Sequence, residues 1–262
     1  MSDFVIADGR VLRVVVATAE RNASLHPEGV AEGTAAVRTI GPETGAILLV
    51  GTGPAFCTGG DVASFGAAGA DGGGAGGDVA AFIRAVADAF HAFLLALVEA
   101  PVPVVAAVHG AAAGAGMSLV CAADLAVGGT STILKPGYPS LGFTPDGGMS
   151  WTLPRLVGAG RARSILLRDR MLDAATALDY GIFTEVVGDA EVSSTAEKIA
   201  RKLADGPTRA LGGIKRLVAD GEHRGLTEHL DAEAASIAAS AAHPEGREGV
   251  AAFNERRRAS FH

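Results

Sequence analysis

The chain of 262 residues is 48% hydrophobic and 19% charged, which is typical of a globular protein with a sizeable core. Its formal net charge is −7, and only 5% of its residues are aromatic. Nucleic-acid binding needs a basic face and, for single strands, aromatic platforms, so the composition excludes nucleic acid as the expected main partner. Two cysteines, Cys57 and Cys121, are too few for a disulfide framework and stand in no metal-ligand spacing.

Signals for secretion or membrane insertion are absent from the sequence pattern. The first ten residues lack a basic segment followed by an apolar run, which a signal peptide requires. Uninterrupted apolar runs such as residues 92–98 are far shorter than the roughly 20 residues that cross a bilayer. We therefore expect a cytoplasmic protein without a membrane partner.

Strands and helices alternate in the first half of the chain. Residues 11–17 and 46–50 are predicted strands, because each is a short run of β-branched and other apolar residues. A helix is predicted over residues 27–39, and another over residues 79–99, where apolar residues recur at helical spacing. Between them, residues 65–78 are almost all glycine, alanine and aspartate, and we expect a mobile loop that serves as a lid.

The alternation continues to about residue 187 and then stops. Strands are predicted at residues 104–108, 124–127 and 183–187, and helices at residues 117–123, 153–167 and 173–180. From residue 195 onward the pattern indicates helix only. The sequence therefore predicts an α/β core at residues 1–194 with a helical C-terminal region at residues 195–262.

Three glycine-containing loops stand out because each follows a predicted strand or separates two elements. The first is PAFCTGGDV at residues 54–62, and the second is HGAAAGAG at residues 109–116. The third is LGFTPDGG at residues 141–148, which runs on to Trp151. Taken singly, each loop indicates no more than a tight turn, and the second lacks the spacing of a dinucleotide-binding loop.

Together and in this order, the three loops resemble those of the crotonase (enoyl-CoA hydratase/isomerase) family. The resemblance extends over nearly the whole chain, from residue 21 to residue 257. It implies a crotonase-like spiral of ββα turns, with a helical C-terminal region that assembles a homotrimer or a dimer of trimers. It also implies an acyl-CoA thioester substrate, and neither a metal nor a redox cofactor.

The resemblance assigns the two oxyanion donors to the backbone N–H groups of Gly60 and Ala115. Removal of a proton beside a thioester carbonyl puts negative charge on the carbonyl oxygen, and two preorganised N–H donors can hold that charge. Ala115 opens a predicted helix, where free N–H groups and the helix dipole favour an anion. The resemblance also implies a set of residues that bind the substrate or its CoA portion: Thr58, Gly59, Asp61, Val62, Gly114, Ser118, Tyr138 and Trp151.

The chain departs from the hydratase pattern at both catalytic glutamates. The aligned positions are Ser118 and Tyr138, and neither can act as a carboxylate base. One acidic residue remains in the third loop, Asp146, in a Pro-Asp-x-Gly-x-x-Trp pattern that resembles the isomerase branch, including the ring-epoxide isomerases of phenylacetyl-CoA. The resemblance therefore implies an isomerase-type proton shift by Asp146. The apolar residues around it in the sequence, Leu141, Phe143, Met149 and Trp151, predict an apolar pocket that would favour the base.

Other interpretations of the same residues stay open. Pro-Asp-Gly is a good turn by itself, so Asp146 can be a structural residue only. The chain can also be an enoyl-CoA hydratase of the fatty-acid β-oxidation type whose carboxylates come from elsewhere. A third alternative is a non-catalytic acyl-CoA-binding paralogue.

Overall fold

A computed structural model describes residues 3–63 and 77–262, with side chains of the second stretch from residue 79 onward. The predicted lid at residues 65–78 therefore lies almost wholly outside the described residues. The strands are β1 Val5–Asp8, β2 Val11–Ala17, β3 Ala46–Gly51, β4 Val104–Val108, β5 Ala111–Ala113, β6 Leu125–Gly129, β7 Ile133–Lys135, β8 Leu172–Asp173 and β9 Glu185–Val187.

These strands form two sheets. The larger has the order β1-β2-β3-β4-β6-β9, in which β1 pairs antiparallel to β2 and every other neighbour is parallel. The smaller has the order β5-β7-β8. Because parallel strands carry their following loops at the same edge, the loops after β3 and β4 meet at one edge of the large sheet.

The helices include α1 Pro27–Arg38, α2 Gly77–Glu99, α3 Ala115–Ala122, α4 Met149–Val157, α5 Ala159–Leu167, α6 Ala174–Asp179, α7 Val192–Ala204, α8 Thr208–Gly221, α9 Leu226–Ala242 and α10 Pro244–Asn254. Successive residues of a strand point to opposite faces of the sheet. Ile47 and Leu49 of β3 accordingly pack with α1, α2 and α3, whereas Leu48 packs with α7 on the other face. The large sheet is thus buried on both sides, as parallel sheets usually are.

Most predicted elements are confirmed, and the exceptions have local causes. The stretch at residues 153–167 is not one helix, because Gly158 adopts φ +81 and separates α4 from α5. The short strands β1, β5, β7 and β8 were not predicted, since two to four residues carry too little periodicity to identify a strand. The boundary between residues 194 and 195 remains a prediction. Helix α7 crosses it and packs on the sheet through Val192, Ala196, Ala200 and Ala204.

Helix α2 is long and apolar. Its residues Val79–Glu99 have a mean hydropathy of 1.8 in the most apolar window, so by length and composition this helix could cross a membrane. The sequence prediction considered only uninterrupted apolar runs and did not detect this. The C-terminal half of the helix packs in the core through Phe90, Phe93 and Leu97, while Phe82 and Val86 nearer its start are exposed.

Candidate active site

The first two glycine loops lie side by side at the edge of the sheet. The Cys57 N–H donates to the Ala111 carbonyl at 3.2 Å, and the Ala113 N–H donates to the Cys57 carbonyl at 2.9 Å. Glycine is required at Gly116 in α3, because a Cβ there would overlap the Cys57 carbonyl oxygen. The start of α3 can therefore lie directly against the first loop, close to Gly59 and Gly60.

The two proposed oxyanion donors are both available in this arrangement. Ala115 is the first residue of α3, a position whose N–H has no intrahelical acceptor. Within residues 3–63 and 77–262, neither the Ala115 N–H nor the Gly60 N–H donates a hydrogen bond. The preceding loop residues are held firmly, since the Gly114 N–H donates to the Lys135 carbonyl at 3.0 Å and the Gly59 carbonyl accepts from the Leu25 N–H at 2.7 Å.

A cleft of about 420 Å³ lies beside the first loop. It is lined by Glu20, Arg21, Asn22, Ser24, Thr58, Gly60, Asp61 and Val62, so it includes three of the predicted substrate-binding residues. Arg21 pairs with Asp61 across the cleft, with 3.1 Å between Nη2 and Oδ2. Asp61 thus anchors the first loop to the residues that follow β2.

Three polar residues converge at the third loop. The Tyr138 hydroxyl donates to Asp146 Oδ1 at 2.7 Å. Ser118 Oγ lies 3.3 Å from the Tyr138 hydroxyl oxygen and 3.2 Å from the Asp146 carbonyl oxygen. Ser118 and Tyr138 are buried and Asp146 is half-buried. Helix α3 therefore begins at one predicted oxyanion donor and, one turn later, presents Ser118 to the predicted base.

Glycine at position 147 allows the third loop to approach α2 and α3 closely. Gly147 adopts φ +58, and a Cβ at this position would meet the ring of Phe90 and lie 2.9 Å from Ser118 Cβ. Any larger residue would push the loop, and Asp146 with it, away from α3.

The Tyr138 phenol keeps its proton in this environment. Burial, together with the negative charge of Asp146, raises the pKa of Tyr138 above its usual range. The hydroxyl group is therefore a donor to the carboxylate at neutral pH.

His91 is a site residue that the sequence analysis missed. It lies on α2, and its Nε2 accepts from the Gly147 N–H at 3.1 Å, one residue beyond Asp146. The bond requires the unprotonated Nε2 of the imidazole. The only signal in the sequence was a polar residue in the apolar stretch between Phe90 and Phe93, which the helical periodicity places near the core.

Trp151 does not join the cluster around Asp146. Its indole ring is covered by the Arg155 guanidinium at 3.6 Å and lies 6.2 Å from the ring of His223. The apolar pocket around Asp146 stays a prediction. Leu141, Phe143 and Trp151 are exposed, because their loop and the first turn of α4 run along the surface, and only Met149 of the four is buried.

Comparison of this chain with known proteins identifies its family. The sequence model of the enoyl-CoA hydratase/isomerase family matches residues 8–262. The chain belongs to the enoyl-CoA hydratase/isomerase family. Among the residues that the structure describes, no group of three or more potential ligands is placed to hold a metal ion.

Relatives within the enoyl-CoA hydratase/isomerase family include proteins named as isomerases and proteins named as hydratases. The chain is 33% identical over 215 residues to the 1,2-epoxyphenylacetyl-CoA isomerase of Escherichia coli, with 82% of this chain and 80% of that protein covered. It is 34% identical over 228 residues to a Rhodobacter capsulatus protein named "Probable enoyl-CoA hydratase", with coverage of 87% and 85%. An enoyl-CoA hydratase structure from a Polaromonas species matches with a TM-score of 0.88 and 28% identity, over 98% of each chain. The predicted crotonase-like fold is confirmed.

Proposed function

We propose that this family member is an enoyl-CoA isomerase-type enzyme in which Asp146 moves a proton between two carbons of an acyl-CoA thioester. The observation that carries the proposal is the composition of the cluster at the third loop. Ser118 and Tyr138 stand where the hydratase pattern has glutamates. The Tyr138 hydroxyl donates to the Asp146 carboxylate, whereas the Ser118 hydroxyl contacts the Tyr138 hydroxyl and the main-chain carbonyl of Asp146. In the described part of the chain, Asp146 is the only carboxylate in this cluster.

A 1,3-proton shift can proceed with one carboxylate. Asp146 removes a proton from C2 of a 3-enoyl thioester, and the electron pair of the broken C–H bond moves into the conjugated system as a dienolate. The N–H groups of Gly60 and Ala115 hold the negative charge on the carbonyl oxygen, and each donor contributes about 3–4 kcal/mol to lowering the barrier. The protonated Asp146 then returns the same proton to C4, which leaves the double bond between C2 and C3. Nothing is added or lost.

Water addition makes different demands. A hydratase must orient a water molecule, deliver its hydroxyl to one carbon and supply a proton to the next, for which two carboxylates are suited. Here the second position is the Tyr138 phenol, which remains protonated and is already bonded to Asp146. The isomerase is therefore the better fit to this set of side chains.

On this proposal the nucleotide end of the substrate binds along the first loop. The cleft there contains Arg21, whose side chain is 34% exposed and pairs with Asp61. A guanidinium has several donors, so it can bind a phosphate oxygen in addition to a carboxylate. Thr58, Asp61 and Val62 line the same cleft.

The test compares purified wild type with Asp146→Asn on 3-hexenoyl-CoA and crotonyl-CoA. Asn preserves the size of the side chain and removes the base, so we expect isomerisation to fall about 10²- to 10⁴-fold while the Kd for acyl-CoA changes little. Asp179→Asn, an exposed Asp on α6, is the matched control. Rapid hydration of crotonyl-CoA by the wild type without double-bond migration would identify a hydratase, and binding without turnover would identify a non-catalytic paralogue.

A further inference from the structure

The hydrogen bond between Tyr138 and Asp146 places the two carboxylate oxygens of Asp146 in different environments. Oδ1 accepts from the Tyr138 hydroxyl at 2.7 Å. No donor to Oδ2 is present within residues 3–63 and 77–262. One oxygen of the carboxylate is thus held and the other is free to react.

The main chain of Asp146 is also held by neighbouring elements, and its carbonyl oxygen lies 3.5 Å from the Tyr138 hydroxyl oxygen. Ser118 Oγ lies within 3.2 Å of the Asp146 carbonyl oxygen, and the next N–H in the chain, that of Gly147, donates to His91 Nε2 at 3.1 Å. The peptide group that follows the Cα atom of Asp146 is therefore held by contacts from α2 and α3. The side chain can still rotate about χ1 and χ2, of which the terminal χ2 torsion is broad for aspartate.

We propose that Tyr138 is a positioning residue for proton transfer, which holds Oδ1 of Asp146 so that Oδ2 alone removes and returns the proton. The inference rests on the proposed function of Asp146 as the base. A single oxygen that must reach two carbons of one substrate tolerates little displacement, because a shift of about 1 Å can cost roughly 100-fold in rate. Tyr138 is suited to this task because its ring is buried and cannot swing away.

The decisive variant is Tyr138→Phe, with Tyr180→Phe as the matched control at the chain's other tyrosine. Tyr180 packs under the guanidinium of Arg161, which lies 4.3 Å from the ring centroid, so it belongs to a different group of side chains. We expect Tyr138→Phe to lower kcat of isomerisation about 10- to 100-fold with KM within about 3-fold of wild type. Tyr180→Phe should match wild type in both constants.

A double variant separates positioning from general support of the fold. In the Asp146→Asn background Tyr138→Phe should cause no further loss of residual activity, because the group it positions is gone. A wild-type kcat in Tyr138→Phe would overturn the inference. An equal loss of activity from Tyr138→Phe in the wild-type and Asp146→Asn backgrounds would also overturn it. If Tyr138→Phe does not fold, as judged by thermal melting, Tyr138→Leu and Tyr138→Met remove the same donor with different packing.

A second readout keeps the inference distinct from the proposed reaction. Deuterium incorporation at C2 of butyryl-CoA in D₂O reports proton removal alone, without any migration of a double bond. If the wild type exchanges this proton but does not isomerise, the proposed isomerase is wrong, while a slower exchange in Tyr138→Phe still supports the positioning role. If the wild type and Asp146→Asn exchange equally, Asp146 is not the base and both proposals fail.

Discussion

The N–H of Ala115 stands at the first position of α3, where proline is normally tolerated because that N–H has no intrahelical bond. Ala115→Pro should therefore leave the helix intact while removing one of the two proposed oxyanion donors. We expect turnover to fall by about two to three orders of magnitude. Steady-state kinetics on 3-hexenoyl-CoA, with circular dichroism to confirm the fold, provides the measurement.

The matched control for this variant is Ala159→Pro, at the first position of α5. It makes the same substitution at a helix start that has no part in the proposed site, so its activity should equal that of wild type. Near-normal turnover in Ala115→Pro would contradict the assignment of this donor.

Lys215 of α8 connects the C-terminal helices to the α/β core. Its Nζ donates to the Leu97 carbonyl at the end of α2 at 2.8 Å and pairs with Asp124 Oδ2 at 2.9 Å. The Lys215 side chain is 10% exposed and that of Asp124 28% exposed. Asp124 Oδ2 also accepts from the Val104 N–H at 2.7 Å, so this pair ties α8 to the first residue of β4.

Removing the ammonium leaves a largely buried carboxylate and a helix carbonyl without their partner. Lys215→Met should therefore lower the free energy of unfolding by about 3 kcal/mol, measured by urea denaturation at a fixed protein concentration. Lys202→Met, on the exposed side of α7, is the control and should change this free energy little. Equal stability of the two variants would show that the link does not hold α8 on the core.

The segment after α10 is held in part by the carboxylate of Glu248. Glu248 accepts hydrogen bonds from the Arg257 guanidinium and from the Ser260 N–H at 2.9 Å. These bonds lower the pKa of Glu248 from 4.5 to about 2. Because the folded pKa is depressed, the docking of this segment is fully stabilised above about pH 4.5 and loses that support as the pH falls toward 2.

Hydrogen exchange of residues 256–262, corrected for the intrinsic rate, should therefore report increasing opening of this segment as the pH falls from 4.5 to about 2. Glu248→Gln should show the open behaviour already at neutral pH. Glu191→Gln is a control at an unrelated turn. Unchanged protection in Glu248→Gln would show that other contacts hold the segment.

The C-terminal helices expose apolar side chains that a single chain leaves uncovered. They include Ile214, Val218, Leu226, Leu230, Ile237, Val250 and Phe253, and Phe253 is 83% exposed. Exposed apolar groups at this density mark an interaction surface. This surface, together with the trimer that the family resemblance implies, leads us to propose that the protein assembles as a homotrimer or a dimer of trimers through these helices.

Sedimentation equilibrium should give three or six times the chain mass of 26.2 kDa. Ile237→Asp, which puts a charge on this surface, should shift the distribution toward smaller species, whereas Ile6→Asp at an exposed position of β1 should not. A monomeric wild type at micromolar concentration would rule out the assembly.

The sequence by itself determined the order of the elements and the family. Buried parallel strands are short apolar runs, and helices of two or more turns repeat at 3.6 residues, so β2, β3, β4, α1 and α2 were all predictable from local pattern. The sequence also identifies the three loops and the absence of glutamate at positions 118 and 138, because these features depend only on residue type and order along the chain.

Only the tertiary structure decided which side chains meet. Tyr138 contacts Asp146 across a turn, while His91 reaches the same loop from a helix 56 residues away, and no local periodicity encodes either contact. Trp151 is a further case, since its position in a family pattern predicted a substrate-binding residue. The structure places its ring under the guanidinium of Arg155, one helical turn further on, and its part in binding stays a prediction. The local pattern of residues reflects the energetics of a single strand or helix. The site is instead formed by packing between elements that are distant in sequence, and this packing is specified only when the whole chain has folded.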